Sequence, residues 1–355
     1  MKSELNCFLQ IKNARKIAIF THKNADTDAL ASSIALRRII KENFEEENKK
    51  IIIDIFTDTQ TFNKKDEDLI KNENINHQSY KRYDLSIALD CASVKMLGCY
   101  EKQFKNKKNT LSIDHHATNT KFALNNIVSP MCSSTCEMIY LIFIKLNKLT
   151  CTAQTLGVIY SGIITDTNNL TQNVGEKTYN VVDAIIKTAT DYGLNLEQIR
   201  NHYFKSNTKE QNALLSRALD SITYASNEKI AIMKLTKQDF DETKTTRADT
   251  IGIVDHTINT QGVEVGVIFI KKEDNTYYVS LRSKNENINV GQIAKAMGGG
   301  GHTKVAAFET KPEDNLTDIK AKLISLCNDE LSKTVDKTDD ISALFAETPA
   351  DNSNQ

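Results

Sequence analysis

The chain has 355 residues, a length that favours two domains rather than one. Its 45 basic residues nearly balance its 46 acidic residues, so a basic surface that binds long duplexes is not expected. Apolar residues make up 40% of the chain, enough for a packed core. No stretch approaches the ~20 apolar residues of a membrane span, and the N-terminus lacks a signal-peptide pattern. We therefore expect a cytoplasmic protein without a membrane partner.

The predicted strands and helices of the first half alternate along the chain. Apolar runs predict strands at residues 16–21, 51–56, 85–89 and 111–113. A helical spacing of apolar residues follows Asp26, and a helix that is apolar on most sides spans residues 155–164. Such alternation indicates an α/β domain over residues 1–190, with a mostly parallel sheet and helices on both faces. Ligands bind beyond the carboxyl ends of the strands in such sheets.

A different pattern begins after residue 190. Residues 191–225 are polar and helical, which predicts a connector between domains. Residues 226–331 mix strand and helix patterns and predict a smaller C-terminal α+β domain, with strands at 230–235, 263–270, 277–281 and 305–308 and helices at 290–297 and 316–331. The polar, acidic residues 332–355 predict a flexible tail.

The seven cysteines are odd in number and scattered. Cys132 and Cys136 form the only close pair, and no second pair completes a tetrahedral zinc site. We therefore expect reduced and mostly buried thiols, which suits a cytoplasmic location.

A dense group of polar side chains follows the first predicted strand. His22, Asp26 and Asp28 lie within seven residues, at the start of the helix. An aspartate at a helix N-terminus is often only a cap. One cap explains one aspartate, but it explains neither His22 nor the second carboxylate.

Acids and imidazoles also end three later apolar segments. Asp90 follows the third strand, Asp114-His115-His116 follows the fourth, and Asp166 follows the buried helix. These ends converge in a parallel sheet, where unpaired like charges would raise each other's pKa and destabilise the fold. Divalent cations would remove that repulsion. Mixed carboxylate and imidazole ligands favour Mn²⁺, with Mg²⁺, Fe²⁺ and Co²⁺ as alternatives.

Two unusual features lie in the second predicted domain. Four consecutive glycines, Gly298 to Gly301, precede His302, and Arg282 is one of only eight arginines. Backbone N–H groups that lack neighbouring Cβ atoms can close around an anion, and a planar guanidinium suits a phosphate. A flexible loop and a surface ion pair are the alternative explanations of these residues.

The motifs of the first domain resemble those of the DHH phosphoesterase family. His-x-x-x-Asp-x-Asp at residues 22–28, the strand-terminal Asp90, Asp-His-His at residues 114–116 and the later Asp166 match its four motifs. The second domain adds Ser-Leu-Arg-Ser at residues 280–283 and the glycine run. These resemble the DHH-associated domain of the subgroup that contains bacterial nanoRNases, which also act as pAp phosphatases.

The resemblance implies a role for each site residue. Two sets of ligands that share one aspartate would each hold a divalent cation: His22, Asp26 and Asp90 in one set, and Asp28, Asp90, His115 and Asp166 in the other. His116 would contact the substrate phosphate, and Asp114 would orient the histidines. Residues of the second domain would hold the nucleotide across an interdomain cleft: Arg282, Ser283, Gly298, Gly299, Gly300, Gly301 and His302.

The predicted activity follows from two-metal chemistry, in which two divalent cations activate water and clamp phosphoryl oxygens. We expect a Mn²⁺-dependent phosphodiesterase or phosphatase that degrades RNA of a few nucleotides to 5′-mononucleotides, and pAp to AMP. Ala25 and Leu30 depart from the usual first motif without removing a ligand. The bulkier Val305 after His302 bears on substrate choice rather than on reaction type.

Three other functions are alternatives. The same metal centre could act on cyclic di-AMP or its linear product pApA. A non-catalytic nucleotide-binding module belongs to a different class, and the filled ligand positions argue against it. An inorganic pyrophosphatase would need a second domain rich in lysine and arginine at the site, so we rank it low. A homodimer is a further option, although the sequence identifies no interface.

Overall fold

The computed structural model describes residues 2–47, 50–79, 82–105 and 109–333. The chain forms two compact units, Met1–Asn207 and Thr208–Gln355. The boundary falls inside the predicted connector, and the predicted domain bounds stay predictions. From residue 334 onward, the predicted flexible tail lies outside the described residues. Within the described part of the chain, no helix has the length and apolar character needed to cross a membrane.

Among the described residues of the first unit, five strands form an all-parallel sheet in the order β2-β1-β3-β4-β5. Their bounds are β1 (Lys16–Phe20), β2 (Ile52–Phe56), β3 (Leu85–Leu89), β4 (Thr110–Asp114) and β5 (Asn125–Val128). Ile19 of β1 pairs with Ile55 on one side and with Ile87 on the other. The predicted parallel sheet is confirmed. The short β5 was not predicted, because its two asparagines interrupt the apolar run that marks the other strands.

Helices cover both faces of this sheet. Those among the described residues are α1 (Lys2–Asn13), α2 (Thr27–Phe44), α3 (Glu67–Ile70), α4 (Glu101–Lys105), α5 (Thr135–Ile139), α6 (Ala153–Asp166), α7 (Glu176–Asp191) and α8 (Leu196–Phe204). Two 3₁₀ segments, Lys64–Asp66 and Val94–Tyr100, precede α3 and α4. A π-helical segment, Tyr140–Leu146, extends α5.

Alternate side chains of each strand enter two different cores. Ile17 and Ile19 of β1 pack with apolar residues of α2, α5 and α6. Phe20 points to the other face, where its ring stacks on Phe56 at 5.3 Å and meets the edge of Phe104 at 5.8 Å. Burial on both faces explains why these strands read as continuous apolar runs rather than as alternating ones.

The strand order creates a switch point between β1 and β3. The chain moves outward from β1 to β2 and then returns to place β3 on the other side of β1. In open α/β sheets, ligands bind outside the carboxyl ends of the strands at such a point. The residues that follow β1 and β3 are therefore the first place to look for a site.

Among the described residues of the second unit, six strands form a mixed sheet in the order β10-β11-β9-β8-β7-β6. The strands are β6 (Thr223–Ala225), β7 (Ile230–Leu235), β8 (Val265–Lys271), β9 (Tyr277–Ser283), β10 (Gly300–Gly301) and β11 (Val305–Glu309). The helices are α9 (Lys209–Asp220), α10 (Lys237–Thr243), α11 (Asp255–Ile258), α12 (Val290–Ala296) and α13 (Leu316–Leu331), with a 3₁₀ segment at Arg247–Thr250. The smaller α+β domain is confirmed.

The two faces of this second sheet carry different residues. Val279 and Leu281 of β9 are buried with apolar residues of α12 and α13. Strand alternation therefore puts Arg282 on the opposite face, where α11 lies. All seven cysteines are free and five of them are buried, as the sequence predicted.

Candidate functional site

Several predicted site residues lie at the carboxyl ends of neighbouring strands. His22 follows β1, and the predicted ligand His115 follows Asp114, the last residue of β4. Asp90 follows β3 directly and has a φ of 59°, in the left-handed region. A non-glycine residue in that region costs of order 1–3 kcal/mol and persists where the surrounding structure fixes it. The surrounding contacts therefore hold the backbone at Asp90 in this region, as they do at several other residues of the described chain.

The first group of potential ligands combines His22, Asp26 and Asp90. Nε2 of His22 lies 3.7 Å from Oδ1 of Asp26 and 3.7 Å from Oδ2 of Asp90. Nδ1 of His22 lies 2.9 Å from the carbonyl oxygen of Lys23, a contact that leaves Nε2 for another partner. Asp26 also caps α2, since its Oδ1 accepts a hydrogen bond from the Ala29 N–H at 3.0 Å. The cap explanation thus holds for this one aspartate.

The second group combines Asp28, His115 and Asp166, whose ligand atoms lie within 4.8 Å of one another. Nε2 of His115 lies 3.3 Å from Oδ2 of Asp166 and 3.5 Å from Oδ1 of Asp90. Asp90 therefore contacts histidines of both groups through its two different oxygens. The structure brings together all six residues that were predicted to bind metal, and we call them the acid–imidazole cluster.

Asp28 is held by the N-terminus of α5. Its Oδ2 accepts a hydrogen bond from the Thr135 N–H at 2.7 Å, and its Oδ1 accepts one from the Cys136 N–H at 3.0 Å. Oγ1 of Thr135 also donates to Oδ1 of Asp90 at 3.0 Å, so this residue contacts both carboxylates. Sequence reasoning missed Thr135. The available signal was the N-cap Ser134 immediately before it, ahead of an apolar helical run.

Helix α6 approaches this carboxylate closely because residue 162 is glycine. A Cβ atom at Gly162 would lie 2.3 Å from Sγ of Cys136 and 2.8 Å from Oδ1 of Asp28. The same helix ends at Asp166, so its close packing also delivers a predicted ligand to the cluster. Sequence reasoning missed Gly162 as well, because a single glycine in a helix has no distinctive pattern.

Asp114 orients His116. Nδ1 of His116 lies 2.6 Å from Oδ1 of Asp114, and Nδ2 of Asn119 donates to the other oxygen at 2.7 Å. Asp114 is fully buried, so these contacts fix its direction. His116 was predicted to contact substrate, yet it also forms a third group of potential metal ligands with Asp90 and His115. Nothing in the sequence pattern singled out Asn119.

The carboxylates of the cluster control each other's protonation. Burial, followed by the charges of Asp90 and Asp26, raises the pKa of Asp28 well above its ordinary value. Burial and the charge of Asp28 do the same for the pKa of Asp166. For Asp90, burial opposes ionisation, but the hydrogen bond with His22 and the charges of the nearby imidazoles hold its pKa low.

Burial alone would lower the pKa of His22 and His116, but neighbouring carboxylates outweigh it. Hydrogen bonds to Asp26 and Asp90, and their charges, raise the pKa of His22 well above its ordinary value. The hydrogen bond to Asp114 and the charge of Asp90 raise the pKa of His116 to about 9. A protonated imidazole cannot bind a metal, so a cation held by His22 would compete with its proton.

The donor set fits a pair of divalent cations. It combines oxygen and imidazole nitrogen without thiolate, which suits Mn²⁺, Mg²⁺ or Co²⁺ better than a structural Zn²⁺. Burial, followed by repulsion between the carboxylates, raises the pKa of Asp28 and Asp166, and a bound cation would relieve that repulsion. Hydrogen bonds behind His22 and Asp28 orient ligands in the manner usual at metal sites.

Thr27, between the two N-terminal aspartates, has its own buried support. Oγ1 of Thr27 donates to Oδ1 of Asp66 at 2.8 Å, and the Tyr203 hydroxyl of α8 donates to the same oxygen at 3.3 Å. Asp66 is only 1% exposed, and burial raises its pKa to about 6 although both hydroxyls lower it. Nothing in the sequence marks Asp66.

The substrate residues predicted in the second unit lie at the end of β9 and near β10. Arg282 and Ser283 are the last two residues of β9. Nε of Arg282 donates to Oδ1 of Asp255 at 2.6 Å, so an ion pair is present here. Oγ of Ser283 donates to the Asn285 carbonyl at 2.7 Å, a turn contact that explains this serine without a ligand. His302 is exposed and follows β10.

The structure explains the four consecutive glycines, Gly298 to Gly301, in different ways. A Cβ atom at Gly299 would lie 2.1 Å from the carbonyl oxygen of Ala307. Gly298 and Gly301 have positive φ values of 86° and 147°. A Cβ atom at Gly300 would meet nothing within 4 Å, and its φ is ordinary. Gly300 and Gly301 form β10, so the flexible-loop explanation is wrong for them. The fold requires three of the glycines but not Gly300.

Comparisons with known families match both units. Residues 16–163 match the DHH family, N-terminal domain, and residues 227–329 match the DHHA1 domain. The first range contains every predicted metal ligand except Asp166, which lies just beyond its end.

Individual proteins match along most of the chain. It is 25% identical over 334 residues to the bifunctional oligoribonuclease and PAP phosphatase NrnA of Bacillus subtilis, covering 93% of this chain and 99% of that protein. It is 24% identical to the cyclic-di-AMP phosphodiesterase PdeA of Listeria monocytogenes, covering 89% of this chain but 48% of that protein. The crystal structure of an exopolyphosphatase-related protein from Bacteroides fragilis has the same fold, with a TM-score of 0.82 at 18% identity over 94% of this chain and 98% of that one.

Proposed function

This chain belongs to the DHH family of metal-dependent phosphoesterases, and we propose that it hydrolyses RNA of a few nucleotides to 5′-mononucleotides and pAp to AMP. The observation that carries the proposal is the acid–imidazole cluster, in which Asp90 belongs to the first group and lies 3.5 Å from Nε2 of His115 in the second. The similarity to an oligoribonuclease and PAP phosphatase over nearly the whole of both chains supports the substrate class. We propose Mn²⁺ as the preferred cation and the cytoplasm as the location.

Each residue of the cluster has a proposed role. His22, Asp26 and Asp90 hold one cation, and Asp28, Asp90, His115 and Asp166 hold the other. When bound, two such cations lower the pKa of water and offset charge on the phosphoryl oxygens. The ligand side chains are already oriented for this chemistry. The Thr135 N–H holds Asp28, the Lys23 carbonyl oxygen contacts His22, and Gly162 lets α6 pack close to Asp28.

His116 supplies a proton donor beside the cations. Without bound cations, the hydrogen bond to Asp114 and the charge of Asp90 raise the pKa of His116 to about 9, which favours a protonated imidazole. Because Nδ1 of His116 faces Asp114, its Nε2–H is the atom that donates to a phosphate oxygen or to the leaving oxygen. Asn119 and Asp114 keep the ring in that orientation.

The second unit is proposed to hold the nucleotide. Arg282 binds a phosphate of the substrate, and the exposed Gly300 lets a base or sugar approach the backbone. A net charge of −1 fits short substrates, because affinity for long nucleic acids depends on many phosphate contacts.

A length series tests the proposal. Metal-free protein is supplied with Mn²⁺ and incubated with 5′-labelled RNA of two and of 24 nucleotides. We expect mononucleotide release from the dinucleotide and much slower turnover of the 24-mer. Equal or faster cleavage of the 24-mer would contradict the proposed preference. The same assay with Mg²⁺ and Co²⁺ tests the choice of cation.

Cyclic di-AMP is the second candidate substrate, because the chain also resembles a cyclic-di-AMP phosphodiesterase. The chain covers less than half of that protein, which makes this the weaker candidate. Parallel assays with cyclic di-AMP, pApA and pAp separate the two. Faster turnover of cyclic di-AMP than of pApA would favour the second candidate, and binding of all three without turnover would indicate a non-catalytic nucleotide-binding module.

A further inference from the structure

Two of the three nitrogen atoms of the Arg282 guanidinium, Nε and Nη1, donate hydrogen bonds to neighbouring residues. Its Nε donates to Asp255 at 2.6 Å, and its Nη1 donates to Oγ of Ser280 at 3.2 Å and to the Leu281 carbonyl at 3.0 Å. A guanidinium has five N–H donors, so these bonds leave both donors of Nη2. Among the described residues, none accepts a hydrogen bond from Nη2, and 18% of the side chain is exposed.

Asp255 reaches Arg282 because a glycine in β8 lets a helix sit against the sheet. Gly266 pairs directly with Arg282 across β8 and β9. A Cβ atom at Gly266 would lie 1.7 Å from Oγ1 of Thr257 and 2.9 Å from its Cβ. Thr257 is fully buried in α11, the helix that begins at Asp255. The missing side chain at Gly266 therefore sets the position of α11, and α11 sets the position of Asp255.

We infer that Asp255 is a positioning residue that fixes the Arg282 guanidinium so that Nη2 faces a phosphate group of the nucleotide substrate. Gly266 is the sequence feature that makes this placement possible. The inference rests on the proposed function, in which Arg282 binds that phosphate. It adds a residue that none of the predicted motifs contains.

Charge and geometry predict opposite effects of Asp255. A carboxylate beside Arg282 offsets its positive charge, so charge alone would make Asp255 weaken anion binding. Fixing the guanidinium removes rotamer freedom before the ligand arrives, so positioning makes Asp255 strengthen phosphate binding. The sign of the change on removing Asp255 therefore separates the two effects.

Two substitutions of Asp255 test the inference. We expect D255A to raise KM for pApA about tenfold with little change in kcat, because a hydrogen bond between charged groups is lost. D255N keeps an acceptor oxygen for Nε and should stay within about threefold of the wild type. Calorimetry on the Mn²⁺-loaded protein should show weaker binding of AMP to D255A, with binding of adenosine unchanged.

Controls separate positioning from a general structural role. E242A removes a carboxylate that meets Nη2 of Arg217 at 2.7 Å on the surface of the same unit, and it should leave KM and AMP binding unchanged. In the R282A background, D255A should have no further effect on AMP binding. If D255A fails to fold, D255N still tests the inference, because AMP binding by D255N that is clearly tighter than that of the wild type would show that the charge of Asp255, not its position, governs the site.

Three results would overturn the inference. They are AMP binding by D255A that equals or exceeds that of the wild type, an equal loss in D255N and D255A, and an undiminished effect of D255A in the R282A background. Failure of the proposed function would give another result. In that case the wild type turns over none of the phosphoester substrates, while the AMP affinities of the wild type and D255A still test the positioning role of Asp255.

Discussion

The two units hold their polar side chains in different ways. In the first unit, the carboxylates of Asp28, Asp90 and Asp114 are at most 2% exposed and accept hydrogen bonds from buried or half-buried residues. In the second unit, Arg282 lies partly exposed at the end of a strand, and Gly300 is open to solvent. Buried polar groups are costly unless they are satisfied. This difference supports the proposal that the reaction belongs to the first unit and substrate selection to the second.

Removing the shared aspartate should have the largest effect. D90A takes away the carboxylate that contacts His22 and His115 through different oxygens. We expect turnover of pApA to fall by more than about 10³-fold, since a metal clamp contributes several kcal/mol to the barrier. Steady-state kinetics and Mn²⁺ binding should both report the loss.

The control is D183A, which removes the carboxylate of an exposed ion pair with Lys187 in the same unit. D183A should behave as the wild type. Unchanged turnover in D90A would refute the assignment of the cluster as the reaction centre.

A methyl group at Gly162 should have the next largest effect. It would displace Sγ of Cys136 and Oδ1 of Asp28, and disturbed orientation of a ligand commonly costs 10–100-fold in metal affinity. We expect G162A to lower Mn²⁺ affinity by roughly that factor, as measured by calorimetry. G157A is the matched control in the same helix, because its Cβ atom would meet only the flexible ends of Ile199 and Leu194. Equal Mn²⁺ affinity in G162A and G157A would contradict this account.

A substitution at the proposed nucleotide site of the second unit should change KM rather than kcat. G300A adds a methyl group where the fold leaves room, so we expect unchanged thermal stability but a KM for pApA raised about tenfold. G299A should instead lower the unfolding temperature, because its Cβ atom would collide with Ala307 of β11. A G300A variant with wild-type KM would mean that no ligand approaches this glycine.

The smallest effect on activity is expected at Asp66. Here a substitution should raise the stability of the protein instead of lowering it. Burial raises its pKa from 3.8 to about 6, so the folded state favours the protonated form and loses stability as the pH rises through that interval. At pH 8 this amounts to about 3 kcal/mol. In metal-free protein, D66N should therefore unfold at a temperature several degrees above the wild type at pH 8, with the difference absent near pH 4. A D66N variant that is less stable at pH 8 would contradict this explanation.

Much of the first unit could be predicted because its signals are local. Apolar runs that end in Asp90 or Asp114 reveal both the strand and the polar residue at its carboxyl end. Parallel strands then bring these residues together without any knowledge of their contacts. The six predicted ligands did come together, although the cation that each one binds stays a prediction.

The remainder depends on contacts between distant parts of the chain. Thr135 reaches Asp28 and Asp90 from more than 40 positions away, and Asp66 reaches Thr27 across 39 positions. In the second unit, Gly266 matters through Thr257 on another element. No periodicity or spacing in a single sequence encodes such pairs, so they became visible only in the folded chain.

A titration with Mn²⁺ tests whether Asp90 joins two cations in one centre. Metal-free protein is titrated to saturation while bound and free Mn²⁺ are followed by electron paramagnetic resonance. Because the two proposed ligand sets share Asp90, we expect two Mn²⁺ ions per chain with a spectrum of two magnetically coupled ions. One ion per chain, or two ions without magnetic coupling, would contradict the shared-aspartate centre.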